Sequence, residues 1–365
     1  MEGEDSGQLP FPAESVVRLL LDWYAGSGRD LPWRHTRDPY AIWLSEVMLQ
    51  QTGVETVIPY YRRFLERYPT VFELAGAPLE EIIELWAGLG YYRRARNLHA
   101  AAQQVVREHG GRFPATLTGL QGLPGVGRST AGAILSIAFD IPAPILDGNV
   151  RRVLCRLFAL QGDPRARSAE KKLWSWAAAL TAQQRPHDYA QAIMDLGATL
   201  CMPRHPACGV CPLADLCLAH RQGVAALLPE ARPRKQIPLR HQVALVLEHD
   251  GRVLVRRRGL DGMLGGLWEF PTRELLEGQV AQEVARELAI EHAAAVPCLT
   301  GKVRHVYSHF RLEVQLFMTK LPAGRGPIAE SDDCKWVLYG DLAGLALHGA
   351  HRKAFDLLTS TKEQE

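Results

Sequence analysis

Apolar residues recur at helical spacing from Glu14 to about His220 with no strand-like alternation, and the pattern changes beyond Pro238. That change constrains the fold more than any other feature. Helical runs cover Val16–Tyr24, Ala41–Gln51, Val54–Tyr68, Leu79–Trp86, Arg94–Glu108 and Arg128–Phe139. Turn signals at Gly26-Ser27-Gly28, Asp38-Pro39, Tyr68-Pro69, Gly110-Gly111 and 141–144 separate them. The spacing predicts an all-α domain of many short helices over residues 10–221. Residues 222–239, with Pro229, Pro233, Pro238 and the basic Arg232, Arg234 and Lys235, read as a linker. Beyond it, His241–Leu247, Arg252–Arg256, Phe310–Thr319 and Lys335–Leu338 read as strands and Val280–Leu288 as a helix. The chain is thus expected to be multidomain, with an α+β domain over 240–362, and its 365 residues suffice for both cores.

Composition excludes more than it assigns. A net charge of +2 gives no global basic field, so any nucleic-acid contact must use local patches. No apolar run approaches the roughly 20 residues of a membrane span, and the acidic start lacks the pattern of a secretory signal. A cytoplasmic protein without a membrane partner is the expectation. Cys201, Cys208, Cys211 and Cys217 form C-x6-C-x2-C-x5-C, punctuated by Pro203, Pro206 and Pro212. Four thiolates in so short a span imply a single tetrahedral metal or an iron–sulfur cluster, and spacing does not separate the two. Cys155, Cys298 and Cys334 read as packing residues.

Chemistry concentrates between Leu123 and Asn149. Leu123-Pro124-Gly125-Val126-Gly127 is a glycine-rich turn, and the helix after it opens with amides that have no internal partner, an arrangement that binds anions. Taken alone, the same pattern also describes an ordinary helical corner. Asp147 precedes a helix at Val150–Phe158, where the dipole favours the anion and depresses its pKa; a plain N-cap reads the same way. Glu46 projects between Ile42 and Trp43 on a helix that is apolar on nearly every side, so desolvation should raise its pKa unless an arginine pairs with it. Two carboxyls with pKa values pushed apart suit a reaction in which one donates a proton and the other stabilises a cation. Tyr91, Tyr92, Arg93, Arg94 and Arg96, after Gly88-Leu89-Gly90, mix stacking and cationic groups suited to nucleic acid, or equally begin a solvated helix.

Together these residues resemble the MutY-type adenine DNA glycosylases of the helix-hairpin-helix superfamily, which also holds endonuclease III. The resemblance is carried by Leu31-Pro32-Trp33-Arg34, the run from Ser45 to Thr52, Gly88–Tyr92, the hairpin, Leu146–Val150 and the cysteines, and it spans nearly the whole chain. It implies a helix-hairpin-helix at about 116–139 and a single four-iron four-sulfur cluster on the cysteine loop 201–217. The implied activity is hydrolysis of the N-glycosidic bond of adenine mispaired with 8-oxoguanine or guanine in duplex DNA, with the adenine flipped from the stack. By resemblance, Glu46 protonates adenine N7, Asp147 stabilises the oxocarbenium-like sugar, and Asn149 helps place the water. Leu31, Trp33, Arg34 and Gln191 would line the adenine pocket, Gln51 and Tyr91 fill the gap, and Thr52 and Leu89 face 8-oxoguanine. Gly125, Gly127 and Ser129 would hold the DNA phosphate.

Endonuclease III-type enzymes carry a lysine nucleophile where this chain has Ser129, so a monofunctional glycosylase is expected rather than a bifunctional lyase. The second domain resembles the Nudix fold through Gly266–Pro271 and Arg286-Glu287-Leu288. Thr272-Arg273-Glu274 replaces its glycine-rich turn and Ile290 stands at a metal-ligand position, so pyrophosphatase activity is not expected. This domain would instead recognise 8-oxoguanine through Ser308 and His309, in a loop where Tyr307 replaces phenylalanine and adds a hydroxyl that needs a partner if buried. A hydrolase of oxidised nucleotides and a DNA-binding scaffold are the competing readings, and a monomer acting on double-stranded DNA is expected.

Overall fold

The computed structural model describes residues 9–230, 236–260, 262–322 and 328–362. The acidic start and the basic linker residues Arg232, Arg234 and Lys235 lie outside them. The helical part comprises α1 (Ala13–Ser27), α2 (Pro39–Met48), α3 (Val54–Arg67), α4 (Val71–Gly76), α5 (Leu79–Trp86), α6 (Arg93–His109), α7 (Leu117–Gln121), α8 (Arg128–Phe139), α9 (Gly148–Leu157), α10 (Arg167–Ala179), α11 (Pro186–Thr199) and α12 (Leu218–Arg221). The chain then forms β1 (Leu239–His249), β2 (Arg252–Arg257), β3 (Trp268–Glu269), β4 (Thr272–Leu275), α13 (Ala281–Glu291), β5 (Cys298–Val306), β6 (Arg311–Lys320), β7 (Cys334–Leu338) and α14 (Gly349–Lys362).

Two compact units result, and they do not follow the chain. The first combines the sequence up to Ala77 with that from Arg96 to the linker, and the second adds Pro78–Ala95 to the C-terminal part. The reason is the amphipathic α5, whose Ile83 packs with Leu267 and Ala346 in one apolar cluster flanked by Leu79, Ala87 and Tyr92. Glu80 adds an ion pair to Arg257 at 3.0 Å.

In the first unit, α2 and α8 are the deeply buried helices. All residues from Ala131 to Ile137 of α8 are buried, as expected for a helix apolar on every side. In α2 the buried Ser45 hydroxyl donates back to the Ile42 carbonyl at 2.8 Å, which satisfies its polar group inside the core. Helices α8, α9 and α11 meet around Ile137, Leu146, Val150, Ile193 and Leu196. The 141–147 segment can lie against α8 because Gly132 has no side chain; a Cβ there would stand 2.3 Å from the Pro144 carbonyl oxygen.

In the second unit, a mixed seven-stranded sheet runs β3-β2-β1-β6-β5, with β4 pairing β1 and β7 pairing β2. The β1–β6 pair is parallel, in register from Leu239 with Arg311 to Glu248 with Lys320. Strand β1 is covered on both faces: Val243 and Leu245 pack with Val284 and Leu288 of α13, and Ala244 and Val246 with Ala354 and Leu358 of α14. A strand buried on both sides reads as a continuous apolar run, and Val243–Leu247 does.

The approach at Gly132 makes a test of packing. Gly132→Ala should lower stability by about 1–3 kcal/mol, because the blocking atom is backbone and the buried helix cannot yield freely. Gly26→Ala, with nothing within 4 Å, should be neutral or slightly stabilising. Urea denaturation midpoints of the two variants check this.

Candidate functional site

A cavity of about 570 Å³ opens in the first unit, and Leu31, Trp33, Arg34, Glu46, Thr52, Ser129, Asp147, Asn149 and Gln191 all line it. Residues a hundred positions apart are therefore joined by tertiary structure. Gln51 is not among them: it follows α2 in a left-handed conformation (φ 60°), exposed, while Gln50 faces the cavity.

Glu46 lies on the cavity wall with α2 and its apolar neighbours behind it. Burial and then the charge of Asp147 push its pKa up to about 7, opposed by Arg34. Asp147 caps α9, accepting the Val150 amide at 2.7 Å. The sequence suggested a depressed pKa here, and the structure reverses the direction: burial outweighs the lowering effects of the Val150 and Asn149 hydrogen bonds and of Arg152. The N-terminal dipole argument presumes a fully solvated carboxylate, and this one is half-buried on the cavity wall. The two carboxyls still differ in kind. Asp147 has backbone donors aimed at its anion, whereas for Glu46 the only lowering influence is the charge of Arg34.

The remaining walls are held by groups that sequence reasoning missed. Asp195, fully buried, accepts from Arg29 Nε at 2.8 Å and from Arg34 Nη1 at 2.7 Å, and so fixes Arg34 at the cavity. An arginine assigned to a buried pocket needs such a carboxylate, and that requirement was the available signal. Arg152 donates to Asn149 Oδ1 at 2.9 Å, to the Gly197 carbonyl at 2.7 Å and to the Cys201 carbonyl at 2.7 Å. Gly197 must remain small there, since a Cβ would meet Asn149 Cβ at 2.6 Å.

The hairpin Leu123–Gly127 forms as the sequence indicates, with Gly125 at φ 78° and α8 starting at Arg128. The first helical bond runs from the Ala131 amide to the Gly127 carbonyl at 2.9 Å, so the amides of Arg128, Ser129 and Thr130 precede it. The Ser129 hydroxyl accepts the Leu146 amide at 3.0 Å and ties the segment before Asp147 to α8.

The four cysteines, none in a disulfide, lie on the loop between α11 and α12. Arg156, buried under them, lies 3.3 Å from Cys201 Sγ through Nη1 and donates to the Met202, Pro203 and Leu228 carbonyls. Beside the four thiolates the buried Arg156 supplies positive charge, which suits an iron–sulfur cluster held there.

In the second unit, Tyr91 (φ 51°) and Ser308 are both exposed and joined, the Ser308 hydroxyl donating to the Tyr91 hydroxyl at 3.0 Å. His309 is exposed and Leu89 is buried. Buried Arg94 donates to the Leu89 and Gly90 carbonyls at 3.2 Å and braces the backbone that carries Tyr91. The extra hydroxyl of Tyr307 has its partners: it lies 2.9 Å from His348 Nδ1 and accepts the Ala350 amide at 3.1 Å. Arg273, on the strand that replaces the glycine-rich turn, pairs with Glu287 at 2.7 Å and with Glu291.

Three family models match the chain. Residues 44–179 match the HhH-GPD superfamily base excision DNA repair proteins, 201–217 the iron-sulfur binding domain of endonuclease III, and 242–357 the NUDIX domain. A Rattus norvegicus protein named adenine DNA glycosylase is 38% identical over 395 residues, covering 93% of this chain and 77% of its own length. Its Homo sapiens counterpart is 38% identical over 397 residues, covering 92% and 72%. A solved thermostable thymine-DNA glycosylase shares 32% identity with a TM-score of 0.53, over 57% of this chain and 97% of its own.

The raised pKa of Glu46 has a signature in stability. The neutral acid is favoured in the folded state, so its contribution is complete below the ordinary value near 4.5 and is lost as pH rises towards 7. Glu46→Gln should therefore gain on the wild type by on the order of 1–3 kcal/mol between pH 5 and pH 8. Chemical denaturation at both pH values measures the difference.

Proposed function

The chain belongs to the adenine DNA glycosylase family, and on that premise we propose that it hydrolyses the N-glycosidic bond of adenine paired with 8-oxoguanine or guanine in duplex DNA, in base excision repair. The observation that carries the reading is the pair Glu46 and Asp147 on the wall of a single cavity, the first with its pKa pushed up to about 7 and the second with backbone donors on its carboxylate. Glu46 gives its proton to adenine N7, which makes the base a good leaving group. The C1′–N9 bond breaks with its electrons going to the base, and Asp147 stabilises the cationic sugar as an ion pair or a transient ester. Water, held by Glu46 and Asn149, completes the hydrolysis and returns the proton. Leu31, Trp33, Arg34 and Gln191 hold the flipped base, and Gln51 and Tyr91 take its place in the stack. Thr52 and Leu89 contact the opposite base, and Gly125, Gly127 and Ser129 hold a backbone phosphate that sets register without reading sequence.

The cofactor is a four-iron four-sulfur cluster, for which Cys201, Cys208, Cys211 and Cys217 are the four available thiolates. These four would hold it on the loop after α11, where it would act as a cross-link and Arg156 would offset part of its charge. No lysine lines the cavity among the described residues, and the Ser129 hydroxyl is occupied by the Leu146 amide; both favour a monofunctional enzyme over a lyase. In the second unit, Arg273 occupies the carboxylates that a Nudix pyrophosphatase would offer to metal, which favours a reader of 8-oxoguanine through Ser308 and His309 over a nucleotide hydrolase. The enzyme acts as a monomer on DNA in the cytoplasm, since two units on one duplex need no second copy. Among the described residues no helix is long and apolar enough to cross a membrane.

Single-turnover assays on A:8-oxoguanine, A:G and A:T duplexes test the reading. Adenine release is expected from the first two and not the third, with Glu46→Gln at least about 100-fold slower. No release from any duplex, or near-normal release by the variant, overturns it. Borohydride should trap no appreciable wild-type protein on DNA; efficient trapping would instead favour the lyase.

A further inference from the structure

Gln191, 3% exposed on the wall of the cavity, is held at both ends of its amide. Its Oε1 accepts from the Tyr24 hydroxyl at 3.1 Å, and its Nε2 lies 2.6 Å from His187 Nε2, one helical turn earlier on α11. The imidazole decides which end of the amide is which. His187 Nδ1 sits 2.8 Å from the Ile137 carbonyl oxygen, which can only accept, so Nδ1 carries a proton. Burial holds the ring below the usual histidine range, opposed first by that hydrogen bond. The charged groups around it are Asp188, 3.9 Å from Nε2, Asp140, which accepts the His187 amide at 3.3 Å, and Arg37. The neutral ring therefore presents a bare acceptor at Nε2, and only the NH₂ end of Gln191 can face it.

A side-chain amide has two N–H donors and two acceptor lone pairs. His187 takes one N–H and Tyr24 fills one lone pair, which leaves one donor and one acceptor for a base in the cavity. We infer that Tyr24 and His187 lock the orientation of Gln191, so that the cavity selects a 6-aminopurine over a 6-oxopurine. The inference rests on the adenine-excision reading and specifies how that site tells purines apart. The remaining pair matches the exocyclic amine of adenine and N1 on its Watson–Crick edge, which leaves N7 to Glu46. A 6-oxopurine offers a carbonyl where adenine has the amine and an N1–H where adenine has an acceptor, so the locked amide meets acceptor with acceptor and donor with donor. An amide free to rotate by 180° would serve either base equally well. Tyr24 and His187 are positioning residues, since they act through Gln191.

The test compares single-turnover excision of adenine and hypoxanthine opposite the same base. The wild type should prefer adenine by at least about 100-fold, since a misplaced buried donor or acceptor is heavily penalised. In Tyr24→Phe and His187→Leu the preference should shrink about tenfold or more, with adenine slowed and hypoxanthine held or accelerated. Parallel losses on both bases are what a merely structural role gives, and they overturn the inference. Tyr24→Phe removes one hydroxyl from a half-buried side chain, so it serves if the His187 variant does not fold. Nitrogen-15 NMR of histidine-labelled wild-type chain reads the lock directly: His187 should be the neutral, Nδ1-protonated form at pH 7. A proton on Nε2 refutes the lock whatever the kinetics show. Should the wild type release neither base, the excision reading fails, and the NMR result still decides the lock.

Discussion

Two neighbouring, partly desolvated carboxyls cannot both ionise at neutral pH without cost, and much of the first unit is arranged around that constraint. Helix α2 supplies Glu46 from a backbone buried on nearly every side, where the charge of Arg34 only partly offsets the cost of ionising it. The segment after α8 supplies Asp147, and the start of α9 gives it the Val150 amide. Delivering both to one place requires close backbone approaches. Gly132 lets the 141–147 segment lie against α8, and Gly197 lets α11 lie against Asn149. Ser129 ties the same segment from the other side, so the residue that replaces an amine nucleophile also has a positional task.

Around the carboxyls, polar side chains are held by buried partners rather than by solvent. Asp195 takes two arginines, Arg152 spans Asn149 and the Cys201 carbonyl, and Tyr24, Gln191 and His187 form a short chain ending on the Ile137 carbonyl. Each of these groups would be costly if unpaired in such surroundings, and pairing them also removes their freedom to reorient. Orientation is what a base-selective pocket needs. The same economy operates in the second unit, where Tyr307 reaches His348 and the Ala350 amide, and so anchors the loop that carries Ser308 and His309.

The chain determined by itself much of what is recognisable about this protein. Periodicity locates α2, α3, α5, α6 and α8 to within a few residues, because a half-buried helix must place apolar groups every third or fourth position. The glycine-rich hairpin, the cysteine spacing and the change of pattern near Pro238 are equally local, and each is visible without a partner. Glu46 could be read as a raised carboxyl because its own helix surrounds it with apolar neighbours. What only the tertiary structure decided depends on segments far apart in sequence. Asp147 looked like a solvated helix cap until packing half-buried it and reversed the direction of its pKa. Helix α5 looked like part of a continuous helical domain until Ile83 met Leu267 and Ala346, residues far beyond the linker. Asp195, Tyr24 and His187 carried no motif, since the orientation of a hydrogen bond is a property of two groups in space.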